Sequence, residues 1–151
     1  MRLWYKSLIP HLPRQQLLGQ WRECCCIAKN IAEKGTPNHI LVNKIMDYPV
    51  THWEAYCSLV ILAMRYREYK IDTEKLYQWN RIIIVENKLP KDNDIGLINS
   101  KDIFSKWHND RYLIQCIFNL EEKHDCQGVT DDEWNVLLKG YKNITGKDWK
   151  I

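Results

Sequence analysis

The most regular apolar pattern in the chain lies in residues 14–34, which read RQQLLGQWRECCCIAKNIAEK. Its apolar side chains recur at intervals of three and four residues: Leu17, Leu18, Trp21, Cys24, Cys25, Ala28 and Ile31. This spacing brings them to one side of an α-helix, and the next residue, Gly35, is of the type that ends helices. We therefore predict a long amphipathic helix from Arg14 to Lys34.

Helical patterns also run through most of the remaining chain. They cover residues 36–46, 51–66, 73–85, 110–123 and 130–141. Thr36 followed by Pro37 is typical of a helix start, and the sequences THWE at 51–54 and TDDE at 130–133 match capping boxes. The run IIIV at 82–85 has strand propensity, but an isolated strand has no partner, so we interpret it as a buried helix end. Residues 92–100 are predicted to form a loop.

Length and composition limit the class of protein. The chain has 151 residues, the size of one domain, and its 45% apolar and 27% charged residues are typical of a globular protein. No apolar run approaches the roughly 20 residues of a membrane helix, and the start, MRLWYK, lacks the apolar segment of a signal peptide. We therefore expect one compact all-α domain over residues 1–151, cytoplasmic and without a membrane partner.

The six cysteines do not follow a metal-binding pattern. In a cytoplasmic chain we expect them to stay reduced. Cys24, Cys25 and Cys26 are consecutive on the predicted helix, so their side chains point roughly 100° apart and cannot bind one ion together. The cluster His124-Asp125-Cys126 lacks the further ligands of a zinc site, which needs about four. The sequence therefore predicts neither a metal nor a cofactor.

Positive charge is concentrated at the amino end. Residues 1–30 contain five basic residues against Glu23 alone, a net charge of +4, while the rest of the chain carries −1. The amino end therefore either binds a polyanion or is a basic helix face exposed to solvent. On the first helix, Gly19 precedes Glu23 by one turn. A glycine inside a helix lowers helix stability by about 1 kcal/mol relative to alanine, so its presence needs a reason. It serves either to leave space above the Glu23 carboxylate or to allow close helix packing.

At this point the sequence resembles a known family. Met1-Arg2-Leu3-Trp4, followed by LLGQWRE at residues 17–23, is similar to the opening of the pyrimidine-dimer DNA glycosylases of the endonuclease V type. These proteins have an arginine directly after the first residue and, about 20 residues later, an aromatic-Arg-Glu triplet on a helix. Weaker similarities, at residues 38–40, 64–72 and 119–123, extend the resemblance to about residue 125.

The resemblance implies a bifunctional enzyme. It would extrude a nucleotide at a lesion in double-stranded DNA, cleave the glycosidic bond through an imine and nick the strand by β-elimination. The α-amine of Met1 would be the nucleophile, and Glu23 would stabilise positive charge and transfer protons. Unperturbed α-amines have a pKa of about 7.7–8.0, against about 10.4 for lysine, so far more of such an amine is neutral at physiological pH.

The resemblance also implies the residues that bind DNA. Arg2 and Arg22 would hold phosphates on either side of the extruded nucleotide, and Gln15 would make a further polar contact. Trp4 lies close to the proposed nucleophile and is the tryptophan expected to touch DNA. Lys123 matches a basic residue of the family's second site. The family's third arginine on the first helix is replaced here by Cys26, a contact that Arg14 or Lys29 would supply, and its late arginine is replaced by Asn119.

Two alternatives remain open at the level of the sequence. One is a helical module that binds nucleic acid or a protein without catalysis. The other is the same imine chemistry acting on abasic sites or on another modified base. In each case we expect a monomer, and the preference between lesions is the property that the departures from the family pattern affect most.

Overall fold

Helices account for nearly all of the regular structure. The computed structural model describes residues 1–92 and 98–150, and over these ranges the chain is all-α and has no strand, as predicted. The α-helices are α1 (Arg14–Lys34), α2 (Val50–Tyr66), α3 (Glu74–Val85), α4 (Asp110–Asp125) and α5 (Asp131–Thr145). Three 3-10 helices cover Lys6–His11, Asn43–Asp47 and Ser100–Asp102.

Helix α1 has the predicted bounds. It follows Pro13 and ends where Gly35 adopts the left-handed conformation, with φ of 76°. The Gly35 N–H then donates to the carbonyl oxygen of Ile31 at 2.9 Å, which satisfies one of the free carbonyls at the helix end. The glycine signal in the sequence therefore located the end of the helix correctly.

The start of a helix at Thr36 was wrongly predicted. The Thr36 hydroxyl instead accepts a hydrogen bond from the Asn38 N–H at 3.1 Å, and Asn38 has a φ of 58°. A left-handed residue cannot continue a right-handed helix, so residues 36–42 form a loop and only the 3-10 helix Asn43–Asp47 follows.

The capping box at Thr51 is also wrong, although the helix it was meant to start exists. Helix α2 begins one residue earlier, at Val50, with Pro49 in the N-cap position and without a side-chain cap. The Thr51 hydroxyl donates to Asp92 Oδ2 at 3.1 Å instead. The second box is confirmed, since Thr130 and Glu133 cap each other's backbone N–H groups at the start of α5.

The residues at 82–85 are helical, as predicted, but they are not a buried helix end. Only Ile83 is buried, and Ile82, Ile84 and Val85 are exposed. Four successive residues point around most of a helix, and α3 contacts its neighbours on one side. Of the loop predicted at 92–100, residues 93–97 lie outside the described part of the chain.

The helices pack so that the amino end of the chain lies between several of them. Helix α1 packs on α2 and α3, α4 packs on α5, and the 3-10 helix Lys6–His11 packs on α2 and α5. The largest side chains of the core include Trp53 and Tyr56 of α2 and Phe104 from the segment before α4. Residues 1–5 are thereby held among α1, α2 and α4.

The cysteines form no disulfide bonds with one another. All six cysteines are free: Cys24, Cys57 and Cys116 are buried, Cys25 is half-buried, and Cys26 and Cys126 are exposed. Within residues 1–92 and 98–150, no group of histidine, cysteine and acidic side chains is arranged to hold a metal ion. None of the helices described there combines the length and the apolar character needed to cross a bilayer.

Candidate active site at the amino end of the chain

The first residues of the chain form an extended segment that is held by side chains. Gln20, buried on α1, contributes two of these contacts. Its Oε1 accepts from the Trp4 N–H at 2.7 Å, and its Nε2 donates to the Arg2 carbonyl oxygen at 3.0 Å. Backbone groups that would pair with a neighbouring strand in a sheet are therefore satisfied by one glutamine.

Two tyrosines, buried Tyr56 of α2 and half-buried Tyr112 of α4, hold two further carbonyls of this segment. The Tyr56 hydroxyl donates to the Trp4 carbonyl oxygen at 2.6 Å and lies 2.9 Å from Gln20 Oε1. The Tyr112 hydroxyl donates to the carbonyl oxygen of Leu3. Burial raises the pKa of both tyrosines, so both keep the proton that they donate.

Glu23 meets the first two residues of the chain. Its Oε2 accepts from the Arg2 N–H at 3.1 Å and from Gln20 Nε2 at 3.3 Å. Its Oε1 lies 4.0 Å from the Met1 nitrogen, and the side chains of Met1 and Glu23 are 19% and 31% exposed. The carboxylate is thus fixed on one side by two donors and is open on the other, beside an amine.

Arg2 and Trp4 form one unit next to this carboxylate. The Arg2 guanidinium carbon lies 5.5 Å from the centre of the Trp4 ring, a cation–π distance. Trp4 itself is only 7% exposed and belongs to the core. That Trp4 touches DNA stays a prediction; in the folded chain its ring lies against the Arg2 guanidinium.

The other residues predicted to contact DNA are spread over α1 and α4. Arg22 and Gln15 are exposed on α1, at roughly 100° and 80° around the helix from Glu23. Arg14 is exposed on the opposite side of α1, where its guanidinium carbon lies 5.5 Å from the centre of the Tyr69 ring. Lys123 is half-buried on α4, eleven residues or about 17 Å along the helix from Tyr112 and on the same face.

Gly19 leaves open space one turn before Glu23. A Cβ atom built on Gly19 would meet no atom of another element within 4 Å. Close helix packing, one of the two interpretations of this glycine, is therefore excluded. The open surface beside the carboxylate agrees with the other interpretation, in which the missing side chain leaves room above Glu23.

Sequence reasoning missed the residues that position the amino end. Gln20, Tyr56 and Tyr112 come from three helices, and no spacing in the sequence connects them to residues 2–4. For Gln20 a signal was available: it is a polar residue on the buried side of a helix, and buried amides are found where they have partners. The tyrosines looked like ordinary members of apolar stripes.

Comparison with known proteins identifies the amino-terminal half of the chain. Residues 1–77 match the family described as pyrimidine dimer DNA glycosylase. The match includes α1, α2 and the start of α3, with Met1, Arg2 and Glu23, and ends well before residue 125, to which the resemblance was expected to extend. No curated protein and no solved structure matches the chain. Because the matched segment covers half of its 151 residues, the chain belongs to the pyrimidine dimer DNA glycosylase family.

Proposed function

We propose that this protein cleaves the glycosidic bond at pyrimidine dimers with the α-amine of Met1 and then nicks the strand by β-elimination. The observation that carries this proposal is the 4.0 Å separation between the Met1 nitrogen and Glu23 Oε1 at an open surface. An amine and a carboxylate in this arrangement are the two groups that imine chemistry on a sugar requires. Membership of the family supports the choice of lesion.

The first step joins the amine to the sugar. The neutral nitrogen of Met1 attacks C1′ of a nucleotide of the dimer, and the glycosidic bond breaks with its electron pair leaving on the base. The base takes up a proton and the nitrogen loses one. The sugar ring then opens as the nitrogen lone pair forms the C1′=N bond and O4′ departs with a proton. Glu23 is close enough to the nitrogen to carry a proton between these groups.

The second step breaks the strand. A base removes the C2′ proton, the electrons move toward the imine, and the C3′–O bond breaks with its pair leaving on the phosphate. Glu23 is the candidate for this base, because its carboxylate is the acidic group in reach of Met1 in the described part of the chain. Water then hydrolyses the imine and restores the amine, so no other reagent is consumed.

The contacts of Glu23 support its role as a positioned carboxylate. Donation from the Arg2 N–H and from Gln20 Nε2 occupies Oε2. Oε1, which faces Met1, remains available to exchange a proton. A carboxylate held in this way needs little reorganisation when positive charge develops on the nitrogen.

In the same proposal, basic and polar side chains around Met1 bind the DNA. Arg2, supported by the Trp4 ring, and Arg22 would bind phosphates next to the extruded nucleotide. Gln15 would add a polar contact from the exposed side of α1. Arg14 and Lys123 would contact DNA farther from the reaction, since they lie on the far side of α1 and on α4. The substrate is double-stranded DNA, bound by one copy of the chain.

Blocking the amino terminus tests whether the Met1 amine is the nucleophile. We compare protein with a free Met1 amine to protein acetylated at Met1, using a duplex with one cyclobutane pyrimidine dimer. Acetylation removes the nucleophile, so strand cleavage is expected to fall at least 100-fold while dimer binding stays within a few fold. Equal cleavage by both proteins contradicts the proposal, and binding without cleavage by either one favours a module that only binds.

A further inference from the structure

The loop between α1 and the 3-10 helix Asn43–Asp47 presents two aliphatic side chains to solvent. Ile40 is 85% exposed and Leu41 is 49% exposed at the tip of this loop. Covering these two side chains would remove apolar area from water, which is favourable by about 25 cal/mol per Å².

The tip is rigidly built. Pro37 and Val42, on either side of it, are buried. The His39 carbonyl oxygen accepts from the Val42 and Asn43 N–H groups at 3.0 and 2.9 Å. The Leu41 N–H donates to His39 Nδ1 at 3.2 Å. The exposure of Ile40 is therefore a fixed feature of the loop.

The loop stands on the same face of α1 as Glu23. Asn30 Nδ2 donates to the Pro37 carbonyl oxygen at 3.4 Å. Asn30 follows Glu23 by seven residues, which is two helical turns and about 10 Å along the axis on the same side. Lys34 and Lys44 lie beside the loop, next to Glu33 and Asp47, so this part of the chain carries no net charge. A duplex that is bound at Glu23 and follows this face of α1 reaches the tip of the loop within two helical turns.

We propose that Ile40, supported by Leu41, is an apolar wedge that enters the base stack of the bound duplex close to the nucleotide held at Glu23. Proteins that bend DNA insert aliphatic side chains between base pairs in this way, which partly unstacks them. With a base-pair rise of about 3.4 Å, the separation along α1 corresponds to about three steps. This inference rests on the proposed function, since it places the duplex at Glu23.

A matched pair of variants isolates the wedge. Ile40→Ser removes the aliphatic side chain at the tip, and Val85→Ser makes a similar change at the end of α3, where Val85 is 70% exposed. Both positions are on the surface, so both variants should fold, which circular dichroism checks. Unstacking is read from the fluorescence of 2-aminopurine, placed in turn at one to four base pairs on each side of a dimer.

The wild type and Val85→Ser are expected to raise the fluorescence at one position within about three pairs of the dimer. Ile40→Ser should lose this rise and bind the dimer duplex about tenfold more weakly, since the isoleucine no longer leaves water. Equal fluorescence and affinity for Ile40→Ser and wild type overturns the proposal. The proposal is also overturned if the wild type raises no fluorescence. It is overturned as well if Ile40→Ser changes only the self-association of the protein, measured by sedimentation.

Failure of the wedge and failure of the imine chemistry are distinguishable. Fluorescence and affinity need no covalent step, whereas acetylation of Met1 tests only that step. If Ile40→Ser abolishes the unstacking but acetylation of Met1 leaves cleavage unchanged, the wedge is supported and the imine mechanism is contradicted. If acetylation abolishes cleavage but Ile40→Ser unstacks and binds DNA like the wild type, the imine mechanism is supported and the wedge is contradicted.

Discussion

Gln20 holds the amino end of the chain and Glu23 in place through all of its polar atoms. It contacts the backbone of Arg2 and Trp4, the Tyr56 hydroxyl and the carboxylate of Glu23. A glutamine can make these contacts together because its amide carries two donors and an acceptor with two lone pairs. A glutamate at the same place would lose the donors to Arg2 and Glu23 and would put a second negative charge beside the carboxylate.

Replacing Gln20 with alanine should separate positioning from binding. The change leaves the Trp4 N–H and the Arg2 carbonyl without their partners, which costs about 1–3 kcal/mol of unfolding free energy. At a temperature where the variant stays folded, we expect the single-turnover cleavage rate to fall at least tenfold while affinity for a dimer duplex changes little. Glu33→Gln, an exposed change on the same helix, is the control. A proportional loss of affinity and rate would contradict the positioning role.

The change Glu23→Gln tests the proton transfer. Glutamine keeps the shape and an oxygen that accepts from the Arg2 N–H, but it carries no charge and cannot exchange a proton in the same way. We expect dimer binding to be retained and strand cleavage to fall by roughly 10²–10⁴-fold. The measurement is single-turnover cleavage at saturating protein, again beside Glu33→Gln. Unchanged turnover would remove Glu23 from the chemistry.

The sequence predicted only part of the candidate site. Met1, Arg2 and Glu23 were predicted through the resemblance to a family, because an arginine and a glutamate on a helix have no specific meaning alone. The residues that hold them, Gln20 and Tyr56, depend on how α1 and α2 pack, which local patterns do not reveal. The burial of Trp4 depends on the same packing and could not be predicted from the sequence.

At the scale of elements, the 3-10 helix Lys6–His11 links the active site to the carboxyl-terminal helix. It packs on α2 and on α5, and α5 approaches it at Gly140. A Cβ atom at Gly140 would lie 2.6 Å from His11 Cγ and Cδ2. Glycine is required here by the close approach of the two helices.

Gly140→Ala is therefore expected to destabilise the fold by about 1–3 kcal/mol through overlap with His11. The prediction has an internal control, because shortening His11 to alanine removes the two 2.6 Å overlaps and leaves only the 3.1 Å contact with His11 Cβ. In a His11→Ala background the same change should therefore cost at least about 1 kcal/mol less than in the wild type. Urea unfolding of the four proteins measures both numbers. Equal effects in the two backgrounds would contradict the account.

The helices themselves were largely predictable and their connections were not. α1, α3 and α5 follow from apolar spacing and from their end signals at Gly35 and at the Thr130 box. The segment at 36–46 was misassigned because Asn38 adopts a left-handed conformation that its sequence position did not announce. The 3-10 helix at Lys6–His11 has Pro10 within it, and its formation depends on neighbours distant in the sequence.

At the scale of the molecule, buried polar groups tie the amino end to the segment before α4. Lys6 Nζ donates to the carbonyl oxygens of Lys101 and Ile103, at 2.6 and 2.7 Å. The Lys6 N–H donates to His108 Nδ1 at 3.0 Å. Burial, with a smaller contribution from Lys6, lowers the pKa of His108 to about 3. This histidine is therefore neutral in the folded protein at physiological pH.

The stability should therefore fall in mild acid. Because the pKa of His108 is lower in the folded protein than its ordinary value of 6.5, the unfolded chain takes up a proton first as the pH falls. The contribution of the neutral His108 to the free energy of unfolding is fully present above pH 6.5 and is lost as the pH falls toward 3. Between pH 7 and 5, we expect the wild type to lose about 2 kcal/mol more than His108→Gln in urea unfolding. Parallel pH curves for the two proteins would contradict the burial of a neutral imidazole.

The most direct test of the proposed chemistry is to capture the bond between the protein and the sugar. Protein with a free amino terminus is incubated with borohydride and a duplex that contains a pyrimidine dimer, an abasic site or no damage. We predict a covalent adduct with the dimer duplex that maps to Met1, and none with undamaged DNA. An adduct on the abasic duplex alone would keep the imine and change the lesion. The absence of an adduct on every duplex would contradict the account.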